Sequence, residues 1–153
     1  AASDVYKRQV SGKGEAGSKG GSIGDLYLFI SIDNHEIFKR SEENLYYELP
    51  ISFADAALGA SVEVPSIDGG KSKIKIPPGT QHGKQFRLKG KGMPILRRSI
   101  PGDLYIRIIT QVPSSLSKRQ KEILEEFNEI ENTKPDPIIK SFFEKAKKFW
   151  KKS

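Results

Sequence analysis

The sequence contains no cysteine, one methionine, one tryptophan and two histidines. Without cysteine the chain cannot form disulfides, use a thiol nucleophile or hold zinc through thiolates. His35 and His82 alone are too few for a metal site built on imidazole. No apolar run approaches the roughly 20 residues that a membrane-crossing helix needs. These absences predict a cytoplasmic chain with no metal, no other cofactor and no contact with a membrane.

Catalytic motifs are also lacking. The sequence has no nucleophile elbow, no metal-ligand cluster and no phosphate-binding loop, because its glycine runs do not end in Gly-Lys-Ser/Thr and do not open a helix. His35 has no partner histidine and no carboxylate orienter, which is typical of a structural histidine. We therefore interpret the chain as a binding protein and not as an enzyme.

Length and composition limit the architecture. The 153 residues suffice for one ordinary domain or two small ones, and 36% hydrophobic with 29% charged residues fits a folded chain of mean hydropathy −0.51. The net charge is +7, spread over Lys89–Arg98 and Lys140–Lys152 with acidic residues between them. This distribution favours solvated lysines on exposed faces over a continuous anion-binding track.

An internal repeat organises the chain. Shifting the sequence by 78 positions aligns Ser11–Gly14 with Lys89–Gly92 and, without a gap, Gly24–Tyr27 with Gly102–Tyr105. A strand of alternating apolar residues follows in each copy, so each strand is predicted to bury one face. The faces consist of Leu26, Leu28, Ile30 and Ile32 in the first copy, and of Leu104, Ile106, Ile108 and Thr110 in the second.

Short strands fill the space between the copies. They are predicted at Leu45–Ile51, Ser61–Ile67, Ser72–Ile76 and Gln85–Lys89, with a hairpin at Asp68–Gly70, a helical turn at Phe53–Leu58 and a stop at Pro77–Gly79. This pattern predicts a β-sandwich.

Two helices are predicted at the C-terminal end. Ser117 and Gln120 form a capping-box signature before an amphipathic helix that ends at Pro135. A second helix, from Ile138 to about Lys151, carries an apolar stripe that we interpret as the dimerisation surface. The stripe consists of Ile138, Phe142, Phe143, Ala146, Phe149 and Trp150.

A series of ordered motifs resembles the substrate-binding C-terminal region of DnaJ-family heat-shock co-chaperones. The resemblance extends from about Val10 to Ser153. Its motifs are Asn34–Arg40, Leu49–Phe53, Ala56–Gly59, Val62–Pro65, Ile76–Gln81, Phe86–Gly92, Ser117–Phe127 and Ser141–Lys145.

The resemblance implies a mostly β fold made of tandem DnaJ C-terminal-type β-sandwiches, followed by C-terminal α-helices. The expected division is a non-matching leader at 1–9, the truncated end of a first sandwich at 10–34, a complete second sandwich at 35–113 and a helical dimerisation tail at 114–153. The family's J domain, Gly/Phe linker and cysteine-rich zinc region are absent from this sequence. We therefore interpret the chain as a fragment, with zinc expected only in that upstream region and with residues 1–9 as a junction of foreign origin.

The implied function is that of a heat-shock, or stress-response, chaperone module for protein folding. It would bind unfolded polypeptide in an apolar groove or at a sheet edge, act as a homodimer and, in the full-length protein, deliver clients to a DnaK-type chaperone. The candidate client-binding residues are Tyr47, Leu49, Ile51, Ile74, Ile76, Phe86 and Leu88.

Two other functions remain open at this point. One is a purely structural dimerisation fragment. The other is a basic β-module that binds single-stranded nucleic acid, with Phe86 and Tyr105 as stacking platforms. Its cations would be Lys84, Arg87, Lys89, Lys91, Arg97 and Arg98.

Overall fold

The computed structural model describes residues 5–152 and divides the chain into two compact units, with the boundary between Gln111 and Val112. The first unit contains the strands β1 (Val5–Val10), β2 (Leu26–Ser31), β3 (Lys39–Ser41), β4 (Asn44–Ser52), β5 (Ala60–Pro65), β6 (Lys71–Ile76), β7 (Gln85–Leu88) and β8 (Leu104–Gln111), with the short helix α1 (Phe53–Leu58). The second contains α2 (Lys118–Thr133) and α3 (Pro137–Lys152). The expected fold class, mostly β with C-terminal helices, is confirmed.

A four-stranded sheet in the order β3-β4-β8-β7 supports the core of the first unit. β4 and β8 run parallel, and β5 and β6 form a separate hairpin. Inward side chains alternate along the strands, so Leu104, Ile106 and Ile108 of β8 are completely buried. They pack in one cluster with residues of β4, α1, β5 and β6. Burial also raises the pKa of Tyr47 to about 12, and its hydroxyl donates to the carbonyl of Pro65 at 3.3 Å.

The internal repeat has a common backbone structure. β1 pairs with β2 in the register that β7 has with β8, since Val10 faces Leu26 and Leu88 faces Leu104. Residues 5–9 belong to the predicted non-matching leader at 1–9 and form most of strand β1. The assignment of 1–9 as a leader stays a prediction. Residues 1–4 lie outside the described residues.

Equivalent hydrogen bonds close the glycine-rich loop in the two copies of the repeat. The amide of Gly12 donates to Asp25 Oδ1, and the amide of Gly90 donates to Asp103 Oδ1, both at 2.9 Å. Both glycines have positive φ, of 66° and 71°, which other residues adopt at a cost. The hydrogen bonds from these backbone amides lower the pKa of both aspartates, because they stabilise the ionised carboxylates.

The two copies differ in burial. The apolar face of β8 is buried, as predicted, apart from the half-buried Thr110. The same prediction is wrong for β2, where Leu26, Leu28 and Ile30 are 39–44% exposed. β2 pairs with β1 in a two-stranded sheet, and this pairing does not cover the apolar face of β2. In the second copy, residues of α1, β5 and β6 cover the equivalent face of β8.

The second unit begins with a capping box. The Ser117 hydroxyl accepts from the Gln120 amide, and the Gln120 side chain accepts from the Ser117 amide, so the predicted start of α2 is confirmed. Asp136 starts α3 by accepting the Ile138 amide at 2.8 Å. The predicted limit between residues 113 and 114 lies near the boundary between the compact units. The division of residues 10–113 into two domains stays a prediction.

Candidate functional site

The outer face of the four-stranded sheet, opposite the core, forms an open groove of about 570 Å³. Strict alternation places Tyr46 and Glu48 on this face of β4, and Tyr105 and Arg107 on this face of β8. The groove extends from the loop before β3 across to the first residue of β7. Its lining consists of Glu36, Ile37, Lys39, Tyr46, Tyr47, Glu48, Gln85, Tyr105 and Arg107.

Two stacked tyrosines form the floor of the groove. Tyr46 and Tyr105 lie directly opposite each other in the parallel register, and their ring centroids are 5.1 Å apart with an angle of 11° between the planes. Both side chains are half-buried, so part of each ring remains accessible. Adjacent aromatic rings offer a broad apolar surface that costs little conformational entropy on binding.

Charges of both signs surround the tyrosines. Arg107 Nη1 lies 4.0 Å from Glu48 Oε1, and both side chains are more than half exposed, so this ion pair contributes little stability. Lys39 and Glu36 add one charge of each sign. The groove has charges of both signs and an aromatic floor. These features suit a peptide that has apolar side chains and charges of both signs better than they suit a polyanion.

The residues that were predicted to contact clients lie in or against the core. Tyr47, Ile51, Ile74 and Ile76 are buried, and Leu49, Phe86 and Leu88 pack against them while partly buried. Only Tyr47 also borders the groove. The prediction selected the apolar half of each alternating strand, which is the half that faces inward. The outward-facing side chains occupy the alternate positions of the same sheet, such as Tyr46 on β4 and Tyr105 on β8.

The two aromatic residues of the alternative nucleic-acid surface lie on opposite faces of the sheet. Phe86 faces the core, whereas Tyr105 faces outward, because their positions alternate across β7 and β8. Arg87 Nη2 lies 2.6 Å from Asp103 Oδ2, so its charge is already compensated. Asp103 also accepts the Gly90 amide, so this ion pair is linked to the glycine-rich loop.

The apolar stripe of α3 lies on one side of the helix. Ile138, Phe142, Phe143, Phe149 and Trp150 are each more than half exposed, and Ala146 between them is half-buried. The rings of Phe142 and Phe143 meet edge to face, with centroids 5.4 Å apart. An exposed patch of this kind is typical of a protein–protein contact.

Within residues 5–152, no group of three or more His, Asp or Glu residues is arranged to hold a metal ion. None of the helices in that range is long and apolar enough to cross a bilayer.

Comparison with known proteins agrees with the resemblance. Residues 2–113 match the model of the DnaJ C terminal domain, and residues 119–152 match that of the chaperone protein DnaJ C-terminal region. The chain is 66% identical over 148 residues to the chaperone protein DnaJ of Pelagibacter ubique, and 50% identical over 147 residues to those of Brucella canis and Brucella suis. It covers 39% of each relative, and these alignments include 97%, 96% and 96% of this chain, respectively. Because the first of these models matches more than half of the chain, the chain belongs to the DnaJ C-terminal domain family.

Proposed function

We propose that this chain is the client-binding and dimerising part of a DnaJ-type co-chaperone, and that the groove above Tyr46 and Tyr105 holds unfolded polypeptide. The observation that carries the proposal is the stacked, accessible tyrosine pair on the outer face of the sheet. The core side of the same sheet is filled, so the outer face is where a client side chain finds apolar surface without rearranging the fold.

The groove suits an extended segment whose sequence varies. Tyrosine rings contact aliphatic and aromatic side chains through area and stacking, which do not require one particular partner. Glu36, Glu48, Lys39 and Arg107 at the sides offer ion pairs to clients of either charge. β3 and β7 are the edge strands of the sheet, and their backbone groups can hydrogen-bond an added strand.

Dimerisation through α3 would place two grooves on one particle. A client that is bound by one groove is then at high effective concentration near the other, so avidity exceeds the affinity of either site. In a full-length cytoplasmic protein this dimer would hold a client during its transfer to a DnaK-type chaperone. No catalytic step and no cofactor of this chain are required.

Replacing Tyr105 by alanine is expected to weaken binding of an unfolded client by about tenfold, because half of the aromatic floor is lost. The matched control is Tyr27→Ala, since Tyr27 occupies the equivalent repeat position on β2. The measurement is the fluorescence anisotropy of a labelled, permanently unfolded protein, titrated with each variant in the absence of ATP.

Equal affinities of the Tyr105→Ala variant and the parent chain would show that the groove is not the client site. If the parent chain itself does not bind the client, while still forming a dimer, it acts as a structural dimerisation fragment. Titration with labelled single-stranded DNA over a range of salt concentrations separates the nucleic-acid alternative, for which affinity would fall steeply with salt.

A further inference from the structure

One side of the client groove is formed by a segment that precedes the sheet. Glu36 and Ile37 line the groove, whereas β3 and its pairing with β4 begin only at Lys39. The ladder between β3 and β4 therefore does not fix the backbone of Glu36 and Ile37. We call these two residues the groove wall.

His35 holds this wall from the preceding position in the chain. Its Nδ1 atom accepts the backbone amide of Ile37 at 3.0 Å and the backbone amide of Phe38 at 3.2 Å. A side-chain acceptor that binds amides two and three residues further along the chain stabilises a turn, a role that asparagine and aspartate often perform. The turn sets the direction in which the chain enters β3.

The imidazole ring of His35 makes a second contact, which is separate from these hydrogen bonds. The ring meets that of Phe38 edge to face, with centroids 5.1 Å apart. Phe38 is buried in the core and meets Tyr47 in the same manner, with centroids 5.2 Å apart. Ile37 is about half exposed at the groove, so the chain changes from groove to core between two adjacent residues.

Histidine thus combines two contacts that other residues would make singly. Asparagine has an oxygen that can accept both amides, but it has no ring. Phenylalanine has a ring that can contact Phe38, but it has no acceptor. The acceptor acts on the backbone of the groove wall and the ring acts on the core, so substitutions can separate the two effects.

We propose that His35 is a positioning residue for client binding. By accepting two backbone amides, it holds the groove wall of Glu36 and Ile37 in the conformation that receives a client. A wall that is ordered before binding loses less conformational entropy when the client arrives, so the affinity is higher. The inference rests on the client groove that is proposed above.

The experiment compares three substitutions of His35 in the full chain, with the same labelled, permanently unfolded protein as the probe. His35→Ala removes both contacts and should weaken binding about fivefold, on the order of one net hydrogen bond. His35→Phe keeps a ring without an acceptor and should weaken binding equally. His35→Asn keeps an acceptor near the place of Nδ1 and should retain the affinity of the parent chain.

Two further measurements separate positioning from a purely structural role. Hydrogen exchange at the amides of Ile37 and Phe38 should be faster in His35→Ala and His35→Phe, and unchanged in His35→Asn. The free energy of unfolding should instead follow the ring contact, so His35→Phe should be at least as stable as His35→Asn.

The matched control is His82→Ala. The Nδ1 atom of His82 also accepts a backbone amide, from Thr110 at 3.2 Å, but His82 does not line the groove. This variant loses the same kind of hydrogen bond at another place in the first unit. It should bind the unfolded protein as tightly as the parent chain does.

An affinity that follows the ring would overturn the inference: His35→Phe would then bind like the parent chain, and His35→Asn would bind as weakly as His35→Ala. Unchanged hydrogen exchange at Ile37 and Phe38 in His35→Ala would also overturn it. If Tyr105→Ala binds like the parent chain, the groove is not the client site and both proposals fail. If Tyr105→Ala weakens binding and His35→Ala does not, only the role of His35 is disproved.

Discussion

Replacing Phe143 with aspartate is expected to convert the chain from a dimer to a monomer, halving its mass in solution. Burying an aromatic side chain contributes roughly 1.5–3 kcal/mol, and a two-fold contact contains each residue twice. Phe143 lies in the exposed stripe of α3, in contact with the ring of Phe142. The dissociation constant should therefore rise by about a thousandfold, which multi-angle light scattering across a concentration series would measure.

The matched control is Ser141→Asp, which adds the same charge to α3 two residues away and outside the apolar stripe. It should remain dimeric. Two results would contradict the dimer: a parent chain that is monomeric at tens of micromolar, on the order of weak-dimer affinities, or a Phe143→Asp variant that unfolds as a monomer. The second result would show that the stripe is covered within its own chain.

The second large effect is expected at Ile108, whose truncation to alanine should lower the free energy of unfolding of the first unit by about 2–5 kcal/mol. Ile108 is completely buried at the centre of the sheet, so the deletion leaves a cavity. The same substitution at the equivalent Ile30, which is 44% exposed, should cost less than about 1 kcal/mol. Urea denaturation, followed by the near-ultraviolet circular dichroism of the tyrosines, compares the two variants.

An equal decrease in the free energy of unfolding for Ile108→Ala and Ile30→Ala would contradict the difference in burial between the two copies of the repeat. It would mean that β2 is covered in solution by a neighbouring strand or by a second chain.

Local patterns predicted the elements well. The capping box at Ser117, the helix end before Pro135 and the strand end before Pro77 follow from single residues that fix backbone bonding, so they do not depend on distant contacts. The repeat was visible because its loops need glycine and aspartate at fixed spacing, as the bonds from Gly12 and Gly90 to Asp25 and Asp103 show.

Non-local pairing was harder to predict. Alternation along β4 places Tyr46 and Tyr47 on opposite faces of the strand. It does not show which of these faces is turned to the core until the parallel pairing of β4 with β8 is known. The apolar face of β2 has the same alternation as that of β8, yet it stays exposed because burial depends on neighbours that the strand's own sequence does not specify. The strand in residues 5–10 was missed because only its backbone register, and not its side chains, matches β7.

The most direct test of client binding is the thermal aggregation of a model protein, followed by light scattering with the full chain in equimolar amount and no ATP. The proposed function predicts delayed and reduced scattering, because the groove above Tyr46 and Tyr105 binds apolar segments as they become exposed. The same time course with and without the chain would contradict it.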